Sequence, residues 1–173
     1  DTARALQHLR PDAAALGVGA AGMVARDGGI HYSPHVPAFL RAPVHARLAD
    51  ALGMPVAVDN DANVAALAEL VYGAGRGCDD FIYLTMSTGI GGGIIAAGRL
   101  VRGKGFYAGE IGHTVIERNG IQCACGLKGC YEAYCGGRAI ALRIQDELKN
   151  QPRHPVIELA GGKLENIDML VFE

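Results

Sequence analysis

The residues best suited to chemistry lie between Glu110 and Glu132: Glu110-Ile-Gly-His113, a nine-residue spacer, then Cys123-Ala-Cys125-Gly-Leu-Lys-Gly-Cys130-Tyr-Glu132. One imidazole and three thiols form a donor set that suits a closed tetrahedral zinc site. Cys123 and Cys125 are too close in sequence for an easy disulfide, yet both can reach one ion, and Gly126 and Gly129 let the chain turn around it. Four protein ligands leave no position for water, so the expected zinc is structural rather than catalytic. Two alternatives stand beside this set: buried or disulfide-paired cysteines without a metal, and a zinc that takes Cys135 in place of His113. Cys78 lies apart from the motif in either case.

A second constellation closes an apolar stretch. Pro55-Val-Ala-Val is followed by Asp59-Asn60-Asp61-Ala-Asn63, and Val64 to Val71 continues at helical spacing, so the cluster sits on a strand-to-helix turn. Asn60 or Asp61 can cap the helix, and a carboxylate there feels the positive end of the helix dipole, which keeps it ionised and able to accept a proton. Capping accounts for one such residue; the rest of the cluster is a candidate for function. A third constellation is Ser87-Thr88-Gly89-Ile90-Gly91-Gly92-Gly93, read as a turn between a strand at Phe81 to Thr85 and a return strand at Ile94 to Ala97. Bare amides and two hydroxyls in such a turn can surround a phosphate. It lacks the lysine of a P-loop and precedes no helix, so neither the Walker nor the dinucleotide fingerprint fits, and a plain hairpin is the alternative. His35, between Pro34 and Pro37 in an irregular segment from Ile30 to Phe39, is a further candidate ligand contact, although a loop histidine is more often only solvated.

The elements that must position these groups follow from periodicity. A helix end is expected over Asp1 to Arg10, a short buried strand over Ala14 to Val18, a helix from Pro43 to Leu52 stopping at Gly53, and an amphipathic helix over Gly137 to Leu148 with a shorter one at Val156 to Leu159. Gly17, Gly19 and Gly22 suggest either a backbone that runs close to another segment or a ligand, or a tight strand end, and Gly73 to Gly77 reads as a linker or hinge. At 173 residues and 50% hydrophobic content the chain can bury a core, while a net charge of -2 carries no basic stripe for nucleic acid or an anionic membrane. The uncharged run from Phe81 to Gly98 holds five glycines together with Thr85, Ser87 and Thr88, so it is not expected to span a bilayer. Five cysteines gathered mostly around one metal-like motif, with no signal peptide in view, point to the cytoplasm. Asp1 in place of an initiator methionine, and an end at Val171-Phe172-Glu173 inside an apolar segment, suggest a piece of a longer protein.

Together the motifs resemble the ROK family, which groups bacterial sugar kinases, glucokinases among them, with sugar-responsive repressors. The resemblance is carried by Val58-Asp-Asn-Asp-Ala-Asn63, Ser87-Thr-Gly-Ile-Gly-Gly-Gly93, Gly109-Glu-Ile-Gly-His113 and Cys123-x-Cys125-Gly-x-x-Gly-Cys130-x-Glu132. It implies an actin-like, ribonuclease-H-like pair of α/β domains with the sugar between them, residues 1–77 belonging to the smaller domain and 78–173 to the start of the larger. It also implies Asp61 as catalytic base, Asn60, Glu110, His113 and Glu132 as sugar contacts, and a phosphate turn centred on Thr88 and Gly89 with Gly91 beside them. Structural zinc on His113, Cys123, Cys125 and Cys130, ATP with magnesium, and a homo-oligomeric full-length protein complete the expectation. The family's first phosphate loop, Asp-x-Gly-Gly-Thr, and its adenosine site have no counterpart here, so the 173 residues alone are expected to be inactive. Ser87 where many kinases have Gly, and Pro34-His35-Val36 where many glucokinases have Pro-Asn-Leu, leave the sugar open, and a repressor's effector-binding segment is the alternative function.

Overall fold

The computed structural model describes residues 8, 10–33 and 36–168. Most of the expected first helix, together with His35 and the C-terminal apolar segment, lies outside the described residues. The described residues fall into two compact units, those up to residue 83 with 92–109, and residues 84–91 with those from 110 onward.

In the first unit, β1 (Leu16–Ala20) pairs in parallel with β4 (Val56–Asn60), Leu16 opposite Val56 and Ala20 opposite Asn60. A parallel pair needs a crossover. The crossover holds the short antiparallel strands β2 (Met23–Val24) and β3 (Ile30–Tyr32), a 3-10 turn at Pro37–Phe39 and helix α1 (Val44–Leu52). Helix α1 ends at Gly53, whose φ of 63° provides the left-handed cap that a side chain would resist. Strand β1 begins two residues later than periodicity suggests and is half-buried in alternation, because the pairing that fixes its register is with β4. The stretch from Ile30 is likewise more regular than expected. Ile30 is fully buried and forms the core of this unit with Ala20 and Val24, backed by Phe39, Val44 and Val58.

Helix α2 (Asp61–Tyr72) follows β4 without a spacer and lies over β1, where an added Cβ on Gly19 would sit 3.5 Å from Asp61 Cα and 3.6 Å from Val64. A three-stranded sheet then runs in the order β5 (Phe81–Met86), β6 (Ile90–Ala96), β7 (Arg99–Leu100). Strand β6 starts at Ile90, so Gly91, Gly92 and Gly93 belong to the strand and not to the turn. Packing explains why Gly93 is a glycine: a Cβ there would lie 2.5 Å from Ala66 Cβ and 3.0 Å from the Ala62 carbonyl of α2.

The second unit carries the turn at residues 87–89, a 3-10 turn at Ile111–His113, the cysteine loop, and helices α3 (Tyr131–Cys135), α4 (Gly137–Leu148) and α5 (Pro155–Leu159). Its apolar centre is Leu148, Ile157, Ala160 and Ile167. Among the described residues no helix is long and apolar enough to cross a membrane.

Candidate functional site

Asp59, Asn60, Asp61 and Asn63 stand at the junction of β4 and α2, and hydrogen bonds sort their roles. Asn60 is the helix cap: its Oδ1 accepts from Ala62 N–H at 2.9 Å and Asn63 N–H at 3.1 Å, while its Nδ2 donates to the Gly22 carbonyl at 3.1 Å. Asp59 accepts four N–H groups. Oδ1 takes the Asn60 amide at 2.8 Å and Asn63 Nδ2 at 2.9 Å, and Oδ2 takes Arg102 Nε and Nη2, both at 2.8 Å. A carboxylate has about four lone-pair positions, so Asp59 has none left for a substrate hydroxyl. Asp61 is different. It is exposed at the first helical position, one oxygen accepts the Ala62 amide at 2.9 Å, and its Oδ2 takes no part in the cluster's bonds.

In the second unit, His113, Cys123, Cys125 and Cys130 converge although 17 residues separate the first from the last. Their ligand atoms all lie within 4.8 Å of one another, with His113 Nδ1 3.7 Å from Cys123 Sγ and Cys125 Sγ 3.6 Å from Cys130 Sγ. Tetrahedral zinc bonds of the usual length put neighbouring donors roughly 3.5–3.8 Å apart, so the cluster fits such an ion. Burial pushes the Cys130 thiol up to about 12 and raises the Cys123 thiol as well. Thiolates in that setting require a cation beside them. The loop has little else to hold it: Val115, Ile116, Ile121 and Leu127 are exposed, and Cys123 and Cys130 are its buried apolar side chains. Cys78 is exposed, and Cys135 ends α3 outside the cluster, so the structure gathers the set with His113 and not the one with Cys135.

The cluster is tied to its surroundings on two sides. With Nδ1 facing the thiols, His113 Nε2 faces Glu110, whose Oε2 is 3.9 Å away, too far for a direct hydrogen bond. Cys130 is the residue before α3, and Glu132 in the first turn of that helix accepts the Ile90 amide on Oε2 at 2.8 Å. Glu132 therefore touches the turn that holds Thr88 and Gly89. A Cβ on Gly89 would meet the Glu132 carboxylate, so a larger residue there would displace that side chain. Gly137 and Arg138 N–H, at the start of α4, donate to the Ser87 and Thr88 carbonyls at 2.8 and 3.1 Å. A cavity of about 530 Å³ opens beside the turn, lined by Ser87, Thr88, Arg138 and Gln145 among others. Gly91 lies in β6, past the turn.

Sequence reasoning missed two groups here. Arg102 sits in a glycine-flanked loop with no local partner, and its pairing with Asp59 bridges 43 residues. Arg138, on a helix whose pattern suggested only packing, brings a positive charge to the lining of that cavity.

A family model described as the ROK family matches residues 3–169. The chain belongs to the ROK family. It is 39% identical over 148 residues to a glucokinase of Thermotoga maritima, covering 85% of this chain and 47% of that protein. It is 36% identical over 166 residues to an N-acetylmannosamine kinase of Escherichia coli, covering 94% and 56%. It is also 33% identical over 145 residues to a xylose repressor of Bacillus subtilis, covering 84% and 38%. Among solved structures, a ROK family glucokinase from Streptomyces griseus in complex with glucose and AMPPNP superposes with a TM-score of 0.82 at 36% identity, over 91% of this chain and 51% of that one. The actin-like α/β fold expected from the motifs is therefore shown, and the chain spans about half the length of the relatives it matches.

Proposed function

We propose that the chain is part of a sugar kinase that moves the terminal phosphoryl group of ATP to a hydroxyl of a hexose or N-acetylhexosamine. The observation that carries this reading is Asp61, an exposed carboxylate at a helix start that shares the Ala62 amide with Asn60 through Oδ1 and keeps Oδ2 out of the cluster's bonds. Phosphoryl transfer calls for positioning, charge stabilisation and a group to take the hydroxyl proton, not a covalent nucleophile. Asp61 takes that proton. Asn60 offers the sugar its remaining Nδ2 hydrogen, and Glu110 and Glu132 accept from sugar hydroxyls. His113 presents an Nε2 hydrogen to a sugar oxygen when its Nδ1 is held among the thiols. His35 is assigned to the sugar as well. Thr88 and Gly89, followed by Gly91, receive phosphate, and magnesium comes with ATP, bound mainly through phosphate oxygens.

Zinc held by His113, Cys123, Cys125 and Cys130 supplies a rigid cross-link in a loop that has almost no core of its own. The residues around it do the orienting: Cys130 fixes the start of α3, and α3 aims Glu132. In the full-length fold we assign residues 1–77 to the smaller domain and 78–173 to the larger, within a cytoplasmic homo-oligomer.

The xylose repressor among the relatives supports a second reading, in which the same sugar-binding residues serve an effector sensor. Asp61 separates the two, since a sensor has no proton to remove. The test is sugar-dependent ADP formation by the full-length protein with glucose and with N-acetylmannosamine. Turnover with either supports the kinase; saturable sugar binding without turnover supports the sensor.

A further inference from the structure

We infer that Arg102 is a positioning residue for Asp61, acting through Asp59; this rests on the kinase reading of Asp61. Arg102 lies between the short strand β7 and a glycine-containing loop, 43 residues from its partner. Both its Nε and its Nη2 reach a single oxygen of Asp59 at 2.8 Å. A planar fork on one oxygen leaves the other oxygen to face the chain, and that oxygen holds the Asn60 amide and Asn63 Nδ2. Asn60 is the cap whose side chain fixes the first turn of α2, and Asp61 is the next residue. The orientation of the base is thus set by a chain of bonds that begins at the guanidinium.

Three features show that this arrangement is held against local preference. Phe106 adopts φ of 68°, a conformation a bulky side chain avoids, and its ring lies 6.0 Å from the Arg102 guanidinium and 5.4 Å from that of Arg26. The ring constrains the arginine by cation–π contact. Asn63 is buried, with 3% of its surface exposed, and its Oδ1 meets no donor among the described residues, yet its Nδ2 is committed to Asp59. An apolar residue would pack there without leaving an unpaired carbonyl, so it is the fourth N–H on Asp59 that the amide provides. Finally, Asp59 is fully coordinated and only 15% exposed in its side chain, which suits a fixed hub rather than a substrate contact.

The experiment compares Arg102→Met, Arg102→Lys, Asp59→Asn, the Arg102→Met/Asp59→Asn double variant and Asp61→Asn in the full-length protein. It records kcat, sugar Kd and amide hydrogen exchange at Asn60. The expected result is a fall in kcat of at least tenfold in Arg102→Met with sugar Kd within threefold, partial recovery in Arg102→Lys, and a double variant no slower than the worse single one. Exchange at the Asn60 amide should rise at least tenfold in Arg102→Met. A kcat within twofold of the parent, or equal losses in every parameter with no recovery by lysine, would overturn the positioning role. Asp61→Asn separates this from the kinase reading. If it retains turnover, the base assignment fails, and the Asn60 exchange still decides whether Arg102 holds the turn.

Discussion

Replacing Gly93 with alanine tests the packing that holds the start of α2. The added methyl would lie 2.5 Å from Ala66 Cβ, 3.0 Å from the Ala62 carbonyl and 3.4 Å from Asn63 Cα, where ordinary contact begins near 3.4 Å. Neither an alanine methyl nor a helix carbonyl can turn aside, so strand and helix must part by about 1 Å, in an interior with little free volume. Overpacking of this kind costs about 1–3 kcal/mol, against which the stiffer unfolded chain of a Gly→Ala change returns about 0.4–1 kcal/mol. The clash wins, and a net loss of roughly 1–2 kcal/mol corresponds to a Tm lower by about 2–8 °C for a chain of this size. Gly17, also within a strand, has nothing within 4 Å of the same added atom, so Gly17→Ala should be neutral or slightly stabilising. Thermal unfolding of the two variants beside the parent gives the comparison. Equal Tm values for Gly93→Ala and Gly17→Ala would refute the claim that position 93 is glycine because α2 presses on it.

Elemental analysis should find one zinc per chain, retained in Cys78→Ser and Cys135→Ser and lost in Cys130→Ser; a disulfide within the cluster would remove the structural role. Stripping the metal with a chelator should raise amide exchange across residues 110–132 at least a hundredfold, because the loop has only two buried apolar side chains to hold it. Glu132→Ala in the full-length protein should weaken both sugar and ATP binding by about tenfold or more, since on the proposed reading its carboxylate meets the sugar while it also accepts the Ile90 amide just past the Thr88–Gly89 turn. Loss of sugar affinity with an unchanged ATP KM would show that the bond to Ile90 carries no positioning.

Local chemistry made much of this legible. The convergence of His113, Cys123, Cys125 and Cys130 is announced by residue type and spacing, the α4 boundaries follow from its apolar period and its flanking glycines and prolines, and the strand-to-helix turn at Asn60 follows from its capping chemistry. What stayed hidden depends on the third dimension. The glycines at 91–93 looked like turn residues because Gly is common in turns, whereas they lie in β6, and the cause at Gly93 is the approach of a helix distant in sequence. The parallel register that delays β1 is set by β4, and no feature of Leu16 itself encodes it. Arg102 carries no motif of its own, so its hold on Asp59 could be found only once β7 and the β4 end were folded together.

The most direct test of the kinase account is Asp61→Asn in the full-length protein, followed by sugar-dependent ADP formation and, on the same preparation, calorimetric sugar binding. Asparagine keeps the size and the hydrogen-bonding capacity of the side chain while removing its ability to take a proton. The account expects kcat to fall by several orders of magnitude with sugar Kd within about threefold, because the proton is accepted only as the transition state forms. Turnover close to that of the parent would contradict it.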